Sequence, residues 1–270
     1  MTERTVTGMS ANSDDGRRRI KSVDKAFLII QALREQGNAG AGVTTVADAV
    51  GMSKGSAHTY LNTLKQHGVV TEQNGRYRLG LQLLELGEYA KRQNLVYQCA
   101  QDPVDEIATR TGELARLVVK EQGYGVYLYK AEGDNAIETT IQPGQREYLH
   151  CTSQGKAILA HLSESEVREI VDERGLPART EDTITDIDEL LDELEEIRER
   201  GVAFSRSEST RGMRCVASPV HAPDGSVVAA IGVCGPMSRL QGDRFTEEIP
   251  DIVRNAANIV EINIQMNRNS

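Results

Sequence analysis

Residues 44–67 read TTVADAVGMSKGSAHTYLNTLKQH, and this stretch decides the fold of the first third of the chain. Apolar residues return at helical spacing on both sides of Gly51, and a glycine between two short helices supplies a tight turn. Ala47 is small where the two helices would cross, and Ser53 is a suitable N-cap for the second helix. This spacing is typical of a helix-turn-helix in which residues 53–67 form the recognition helix.

A further helix is predicted before this motif. Apolar residues recur about every 3.6 positions across residues 22–36, and Gly37 follows the last of them. Ser22 is the expected N-cap of that helix, and Thr44 or Thr45 is the expected cap of the first helix of the motif.

A hairpin is predicted after the motif. Asn74-Gly75 is a favoured two-residue turn between two short strands. Arg76 and Arg78 then alternate outward, and the residues between and after them pack inward. A hairpin directly after a recognition helix is a wing, so residues 20–80 are predicted to be a winged helix-turn-helix domain.

The charge is divided unevenly along the 270 residues, whose formal net charge is −9. Residues 1–94 hold 13 basic and 9 acidic residues, whereas residues 95–270 hold 18 and 31. Residues 1–19 are predicted to be a disordered tail, and they end in the basic cluster Arg17, Arg18 and Arg19. That cluster is either an arm for the DNA minor groove or a solvated group of charges, and both interpretations remain open.

The side chains expected to contact DNA are polar. They are Ser53, Lys54, Ser56, His58, Thr59 and Asn62 on the recognition helix, and Arg76 and Arg78 on the wing. Ser, Thr and Asn contact phosphates or base edges, and Lys favours phosphate or guanine. The alternative is an unrelated three-helix bundle with a hairpin, and the combination of motif, wing and basic arm favours DNA binding.

Residues 81–94 are predicted to be a linker helix, and residues 95–270 are predicted to be a second domain. Helices and strands mix there, with strands near 114–120, 125–130, 215–221 and 227–234, and a further segment near 137–141. Helices are predicted over 95–111, 153–161, from the capping box at Ser163 to Gly175, and over 186–200 and 246–265. Hairpin signals such as Pro223-Asp224-Gly225 indicate antiparallel pairing and hence an α+β class. The acidic helix 186–200 carries one apolar stripe, which is expected to cover a sheet.

Composition excludes several functions. The four cysteines are widely spaced, so buried free thiols are expected at Cys99, Cys151, Cys215 and Cys234, with no metal site. A phosphate-loop interpretation of Gln154-Gly155-Lys156 fails, because the motif needs Gly at position 150 and Ser or Thr at position 157. Cys215 beside His150 or His221 is the one candidate nucleophile, and sequence cannot bring them together. Neither catalysis nor a cofactor is expected.

No apolar run reaches the roughly 20 residues that span a bilayer, and the first residues lack the apolar stretch of a signal peptide. A cytoplasmic protein without membrane contact is therefore expected.

Several ordered stretches carry a resemblance to a known family. They are Ser22 to Ala26, Val46 to Ser56, Leu61 to Leu64, Tyr77 to Gly80, His150 to Ala160, Gly201 to Ala203, and Gly212 to Val220. Over residues 20–266 the chain resembles the IclR family of transcriptional regulators. The resemblance implies a winged helix-turn-helix joined to an α/β effector domain related to GAF and profilin-like sheets. It also implies a homodimer through the DNA-binding half, often paired into a tetramer. By the same resemblance, residues 95–270 are the effector-binding and oligomerisation domain, whose small-molecule ligand changes binding to operator DNA.

The effector site follows partly from the resemblance. A loop enters a helix at Thr152 to Gly155, where free backbone N–H groups suit a carboxylate. By resemblance, the amides of Ser153 and Gln154 line the effector cavity together with Cys215. The assigned set is Ser153, Gln154, Gly155, Cys215, Gly232 and Cys234. A capped helix beside a buried cysteine is the alternative interpretation.

Three departures separate this chain from the family pattern. Carboxylate-binding members tend to read Ser-x-Ser where this chain has Gly232-Val233-Cys234, and they often have an acidic residue at Ser205. Members frequently carry Arg at the position of Thr59. A larger or less charged ligand, such as a sugar derivative or aromatic acid, is expected to fill the volume that the missing hydroxyls vacate.

The sequence therefore predicts a DNA-binding transcription regulator that a small metabolite of a catabolic pathway controls. Its partners would be double-stranded DNA, the effector and a second copy of the chain. The alternative is a metabolite sensor whose N-terminal module pairs with protein.

Overall fold

The computed structural model describes residues 20–268, and the Arg17 to Arg19 cluster lies outside these residues. The described residues form two compact units, which divide between residues 90 and 91. The first comprises α1 (Lys21–Glu35), a 3-10 turn (Gly37–Ala39), α2 (Val43–Val50), α3 (Lys54–Gln66), β1 (Val70–Gln73), β2 (Arg76–Leu79) and most of α4 (Gln82–Gln93).

The turn between α2 and α3 depends on a left-handed residue. Gly51 ends α2 with φ +66°, a conformation that costs L side chains energy, and the amide of Met52 donates to the carbonyl oxygen of Ala47. The hydroxyl of Ser53 accepts from the amide of Ser56 at 3.2 Å and caps α3 as predicted. The helix-turn-helix prediction is confirmed.

The predicted caps of α1 and α2 are wrong. Ser22 lies inside α1, whose N-cap is Ile20, and Thr44 and Thr45 lie inside α2, whose N-cap is Gly42. Neither N-cap provides a side-chain hydrogen bond. Both helices begin about two residues before the predicted caps, which is within the range over which helix ends vary.

The wing is a two-stranded antiparallel hairpin in which Val70 pairs with Leu79. Its turn residues Asn74 and Gly75 both have positive φ, as the predicted turn requires. Tyr77 is buried in the core of this unit, and Ala41 forms an additional bridge to it. The core also contains Ile29, Leu33, Val46, Leu61 and Val70.

The second unit is built on a six-stranded sheet with the order β5-β4-β3-β8-β7-β6, in which every neighbouring pair is antiparallel. Its strands are β3 (Leu114–Glu121), β4 (Tyr124–Glu132), β5 (Arg146–Tyr148), β6 (Ala203–Arg206), β7 (Met213–His221) and β8 (Val227–Pro236). Its helices are α5 (Leu95–Thr111), α6 (Ser153–Leu159), α7 (Glu164–Arg174), α8 (Ile187–Arg200) and α9 (Ile249–Arg268).

Helices cover both faces of the sheet. Alternate residues of a strand face opposite sides, so Leu117 of β3 packs with α5 and α9, and Val118 packs with α6 and α8. The acidic helix α8 buries Leu190, Leu194 and Ile197 in this second cluster, which confirms that it covers the sheet.

Two strand assignments differ from the sequence predictions. The segment near residues 137–141 forms no strand, and the short edge strand lies at β5. Strand β6 at the other edge was not predicted from the sequence. Edge strands of three or four residues are too short to show a period of two. The remaining strands and helices lie within a few residues of their predicted positions, and the α+β class is confirmed.

Within residues 20–268, no helix is both long enough and apolar enough to cross a membrane.

Candidate nucleic-acid interface and effector site

Helix α3 presents a polar face to solvent. Lys54, Ser56, His58 and Thr59 are exposed, and Asn62 is half-buried. Buried Ala57 and Leu61 hold the opposite face against the core. This arrangement follows from the helical period, which separates the apolar positions from the polar ones.

Several of these polar groups bond to one another within α3. Ser53 engages Ser56, whereas the Thr59 hydroxyl donates to the carbonyl oxygen of Gly55 at 3.0 Å. The Asn62 amide nitrogen lies 3.3 Å from Nδ1 of His58. These local bonds hold the side chains over the surface of α3.

The two wing arginines differ in their contacts. Both are exposed, as predicted, because buried Tyr77 lies between them. Nε of Arg76 donates to the carbonyl oxygen of Ala39 at 2.7 Å, and Nη2 donates to that of Gly40 at 2.8 Å. Arg76 therefore fastens the wing to the loop before α2, a structural role that the sequence did not indicate.

In the second unit, the strand residues of the predicted effector site lie on the face of the sheet that α6 covers. Arg116 of β3 lies opposite Gly232 of β8, and Cys215 of β7 lies opposite Cys234 of β8. Ser205 of β6 lies beside Cys215. Antiparallel register therefore brings together residues from four strands.

Cys215 and Cys234 form a disulfide, with their Cα atoms 4.2 Å apart, so the prediction of free thiols is wrong for this pair. They lie 19 positions apart in the sequence, and only the β7–β8 register reveals that they are neighbours. Cys99 and Cys151 are buried and free, as predicted. Burial raises the pKa of the Cys151 thiol to about 12, which makes it a poor nucleophile.

The loop that enters α6 is closely packed. Thr152 caps the helix by accepting from the amide of Gly155 at 3.1 Å, and a side chain at Gly155 would overlap the backbone of Leu149. The amide of Gly155 is therefore engaged. Ser153 and Gln154 are buried, and the Ser153 hydroxyl donates to Oε1 of Gln154 at 3.1 Å. Nε2 of Gln154 lies 3.9 Å from Sγ of Cys234.

The expected vacated volume is absent at Gly232. An added Cβ there would lie 2.5 Å from the carbonyl oxygen of Val216 and 2.8 Å from Cβ of Ala217. Strand β7 already occupies this space, so the glycine permits close strand packing and leaves no extra room for a ligand.

Arg116 is the residue of this face that the sequence analysis missed. Its side chain is buried beneath α6, and Nη1 lies 3.9 Å from Sγ of Cys234. Its position in an otherwise apolar strand was the available signal, because a charged residue at an inward position of a central strand is unusual.

A buried ion pair supports α6. Nζ of Lys156 lies 2.8 Å from Glu208 and 3.3 Å from Glu193. Burial raises the pKa of Glu208, and the neighbouring Lys156 opposes that shift. Lys156 is therefore committed to structure, consistent with the failure of the phosphate-loop interpretation.

Cys215, the candidate nucleophile, is not paired with either candidate base. Cys215 is in the disulfide, Nε2 of His150 lies 3.2 Å from the carbonyl oxygen of Pro177, and Nδ1 of His221 lies 2.9 Å from Glu261. Within the described part of the chain, no group of three or more His, Cys, Asp or Glu residues is placed to hold a metal ion.

Comparisons with known proteins agree with this architecture. The family domain described as the IclR helix-turn-helix domain matches residues 22–74, and the one described as bacterial transcriptional regulator IclR C-terminal matches residues 87–262. A probable HTH-type transcriptional regulator, ArcR of Halobacterium salinarum, is 31% identical over 252 residues, which cover 92% of this chain and 95% of the relative. The HTH-type transcriptional regulator XynR of Escherichia coli is 32% identical over 223 residues, covering 82% and 88%.

Solved structures show the same fold. The Thermotoga maritima IclR structure is 30% identical, with a TM-score of 0.75 over 91% of this chain and 99% of that one. An IclR homologue from Microbacterium hydrocarbonoxydans, complexed with 4-hydroxybenzoate, has a TM-score of 0.77 at 20% identity, covering 91% and 99%. Fold and relatives together define a helix-turn-helix transcriptional regulator, not an enzyme. The chain belongs to the IclR family.

Proposed function

We propose that this protein binds operator DNA through α3 and the wing, and that a small organic acid bound in the second domain controls that binding. The observation that carries the proposal is the exposed face of α3. Its 13 residues include Lys54 and Lys65 and no Asp or Glu, so the helix can approach phosphates without repulsion.

The wing supports the same surface. Arg76 and Arg78 are both exposed, but the guanidinium of Arg76 is engaged in holding the wing in place. Arg78 is the phosphate contact of this pair, and Arg76 is the brace that positions it. The basic cluster Arg17 to Arg19 remains part of the proposal as an arm, from sequence alone.

Retention of the promoter fragment upstream of the protein's own reading frame tests DNA binding. Affinity should fall steeply as salt rises, because each neutralised phosphate releases counterions. Lys54→Gln should weaken retention and lower the salt slope by about one. Lys120→Gln, the same change at an exposed position of the second domain, is the matched control. Absence of retention at every salt concentration would favour the alternative, a sensor whose first domain pairs with protein.

The effector site of the proposal comprises Ser153, Gln154, Gly155, Cys215, Gly232 and Cys234. Nε2 of Gln154 points toward Sγ of Cys234, and this contact joins α6 to the sheet. An effector that binds here touches both α6 and the sheet, and so it can shift α6 relative to the strands. A sugar-derived or aromatic acid from a catabolic pathway is the proposed class, and the 4-hydroxybenzoate complex of the structural neighbour belongs to it.

A thermal-shift screen of sugar acids and aromatic acids tests this assignment, since a ligand that binds only the folded state raises the melting temperature. Hits should also change promoter retention. Replacing Gln154 with Leu should abolish the response and leave DNA affinity unchanged. Equal loss of both activities would contradict the assignment.

The proposal includes a homodimer, or a tetramer formed by two such dimers, in the cytoplasm where DNA is accessible. Helix α1 exposes Val23, Phe27 and Leu28, and α4 exposes Leu84 and Tyr89. Large apolar side chains at helical spacing on exposed faces are typical of protein interfaces. Phe27→Glu should lower the mass measured by analytical ultracentrifugation, and an unchanged mass would remove α1 from the interface.

A further inference from the structure

Arg116 is a buried cation. Its side chain is 7% exposed, and its Nε atom is buried without a hydrogen-bond partner among the described residues. It projects from the central strand β3 onto the face that α6 covers, beside Gly232 and Cys234.

The groups around the guanidinium are neutral. Nη2 donates to the hydroxyl of Thr139 at 3.3 Å, Nη1 points at the disulfide sulfur of Cys234, and the guanidinium carbon lies 5.2 Å from the Tyr127 ring centre. The carboxylate of Glu147 acts on the charge of Arg116, but it forms its ion pair with Arg179, at 4.0 Å. Within residues 20–268, no carboxylate lies in ion-pair distance of Arg116.

Arg116 is the exception among the fully buried Arg, Lys and Glu side chains that the structure describes in this domain. Buried Glu113 receives two hydrogen bonds of 2.7 Å from Arg239, and buried Lys156 is paired with Glu208. Burial of an unpaired charge destabilises the folded state, so proteins rarely keep such a charge without a use. Burial lowers the pKa of the Arg116 guanidinium, and the neighbouring Tyr127 opposes that shift. Arg nevertheless stays protonated in proteins.

The geometry points to Arg116 as the residue that binds the carboxylate of the effector, with Gln154 and Thr139 supplying hydrogen bonds around it. This inference rests on the proposed function and identifies the charged anchor of that site. Arg116 lies outside the motifs that carry the family resemblance. A guanidinium takes the place of the hydroxyls that Gly232 and Cys234 do not offer.

Charge matching selects a carboxylate over a phosphate. One guanidinium balances one carboxylate, whereas a phosphate monoester carries about two negative charges at neutral pH. Lys156 is the cation that could balance the second charge, but its ammonium group is already paired with Glu208 and Glu193. The planar fork of the guanidinium also matches the two carboxylate oxygens.

The test measures the melting temperature of the full-length protein in chloride buffer and at matched ionic strength in formate, acetate, benzoate or inorganic phosphate. Formate is the smallest carboxylate, so it tests carboxylate binding to Arg116 without requiring the rest of the effector to fit. Wild type should melt at a higher temperature in formate than in chloride. Arg116→Met should lose this rise, with apparent formate affinity falling at least about tenfold.

The variant should also melt above wild type in chloride, because methionine removes the unpaired charge and keeps the volume. Arg116→Lys should retain part of the formate response, since it keeps the charge and loses the fork. Arg110→Met on the exposed surface of α5 is the matched control and should respond like wild type.

Three results would overturn the inference: a wild type that responds to none of the three carboxylates, an Arg116→Met variant that keeps the response, or one that melts below wild type in chloride. Stabilisation by phosphate alone would overturn the carboxylate assignment. These measurements contain no DNA, so their failure leaves promoter binding intact. Loss of promoter retention beside an intact formate response would remove the DNA function alone.

Discussion

The two domains differ in where they keep their polar side chains. Among residues 20–268, the buried polar and charged residues all lie in the second domain: Thr111, Glu113, Arg116, His150, Ser153, Gln154, Lys156, Thr183, Ser205, Glu208 and Ser218. The first domain buries only apolar side chains and Tyr77, and it keeps its charges in water.

Helices α3 and α8 show the same contrast at the surface. They have 13 and 14 residues and each buries an apolar stripe, yet α3 carries no Asp or Glu, whereas half of α8 is acidic. An exposed charge costs little folding free energy, so it can serve to attract a partner molecule. A buried charge is expensive, so it identifies a partner that lies beside it.

The largest expected effect tests this contrast on two ion pairs. Lys156→Met leaves the carboxylate of Glu208 buried without its cation and should cost about 3–5 kcal/mol in the free energy of unfolding. Lys65→Met breaks an exposed ion pair to Glu72 of similar length, 2.7 Å, and should change stability little. Urea unfolding followed by circular dichroism measures both, and equal effects would break the comparison.

A second prediction concerns buried His150, whose pKa is lowered to about 4 from its ordinary value of 6.5, chiefly by burial. Between these values the unfolded chain binds a proton that the folded protein does not, so stability falls as pH drops from 6.5 toward 4. The expected loss is about 3 kcal/mol.

Urea unfolding at several pH values measures this loss. His150→Asn should flatten the pH dependence over that interval, because asparagine does not titrate there. A variant with the wild-type slope would show that another group causes the loss.

Gly51→Val should cost about 1–2 kcal/mol in the first domain, because a β-branched residue is strained at φ +66°. The site has open space around the added Cβ, so the loss reports backbone strain and not a clash. Gly55→Ala, within α3 and also unobstructed, is the control and should stabilise slightly. Calorimetry measures both, and an unchanged melting temperature of Gly51→Val would contradict the turn assignment.

The smallest expected effect lies on the wing. Arg78→Ala should weaken DNA binding uniformly across sequences and lower the salt slope by about one, as loss of one phosphate contact does. Arg76→Ala should weaken binding more, because it also releases the bonds to Ala39 and Gly40. Promoter retention at several salt concentrations compares them, and base-selective loss in Arg78→Ala would show direct sequence recognition instead.

The sequence by itself determined the helix-turn-helix, the wing and the acidic covering helix. Each depends on local rules: the helical period, the cap at Ser53, and the positive φ of Gly51 and Gly75. The family resemblance also pointed to the loop at Ser153. These features could be predicted because their physical causes lie within a few residues of one another.

Only the tertiary structure decided the rest. The disulfide between Cys215 and Cys234, the bracing of the wing by Arg76, and the burial of Arg116 each join residues distant in sequence. Strand register and close packing fix these contacts, and neither leaves a local pattern. A charged residue in a strand destabilises the fold only if it is buried without a counter-charge, and only the tertiary structure reveals whether one lies beside it. The absence of that counter-charge is what points to a binding role.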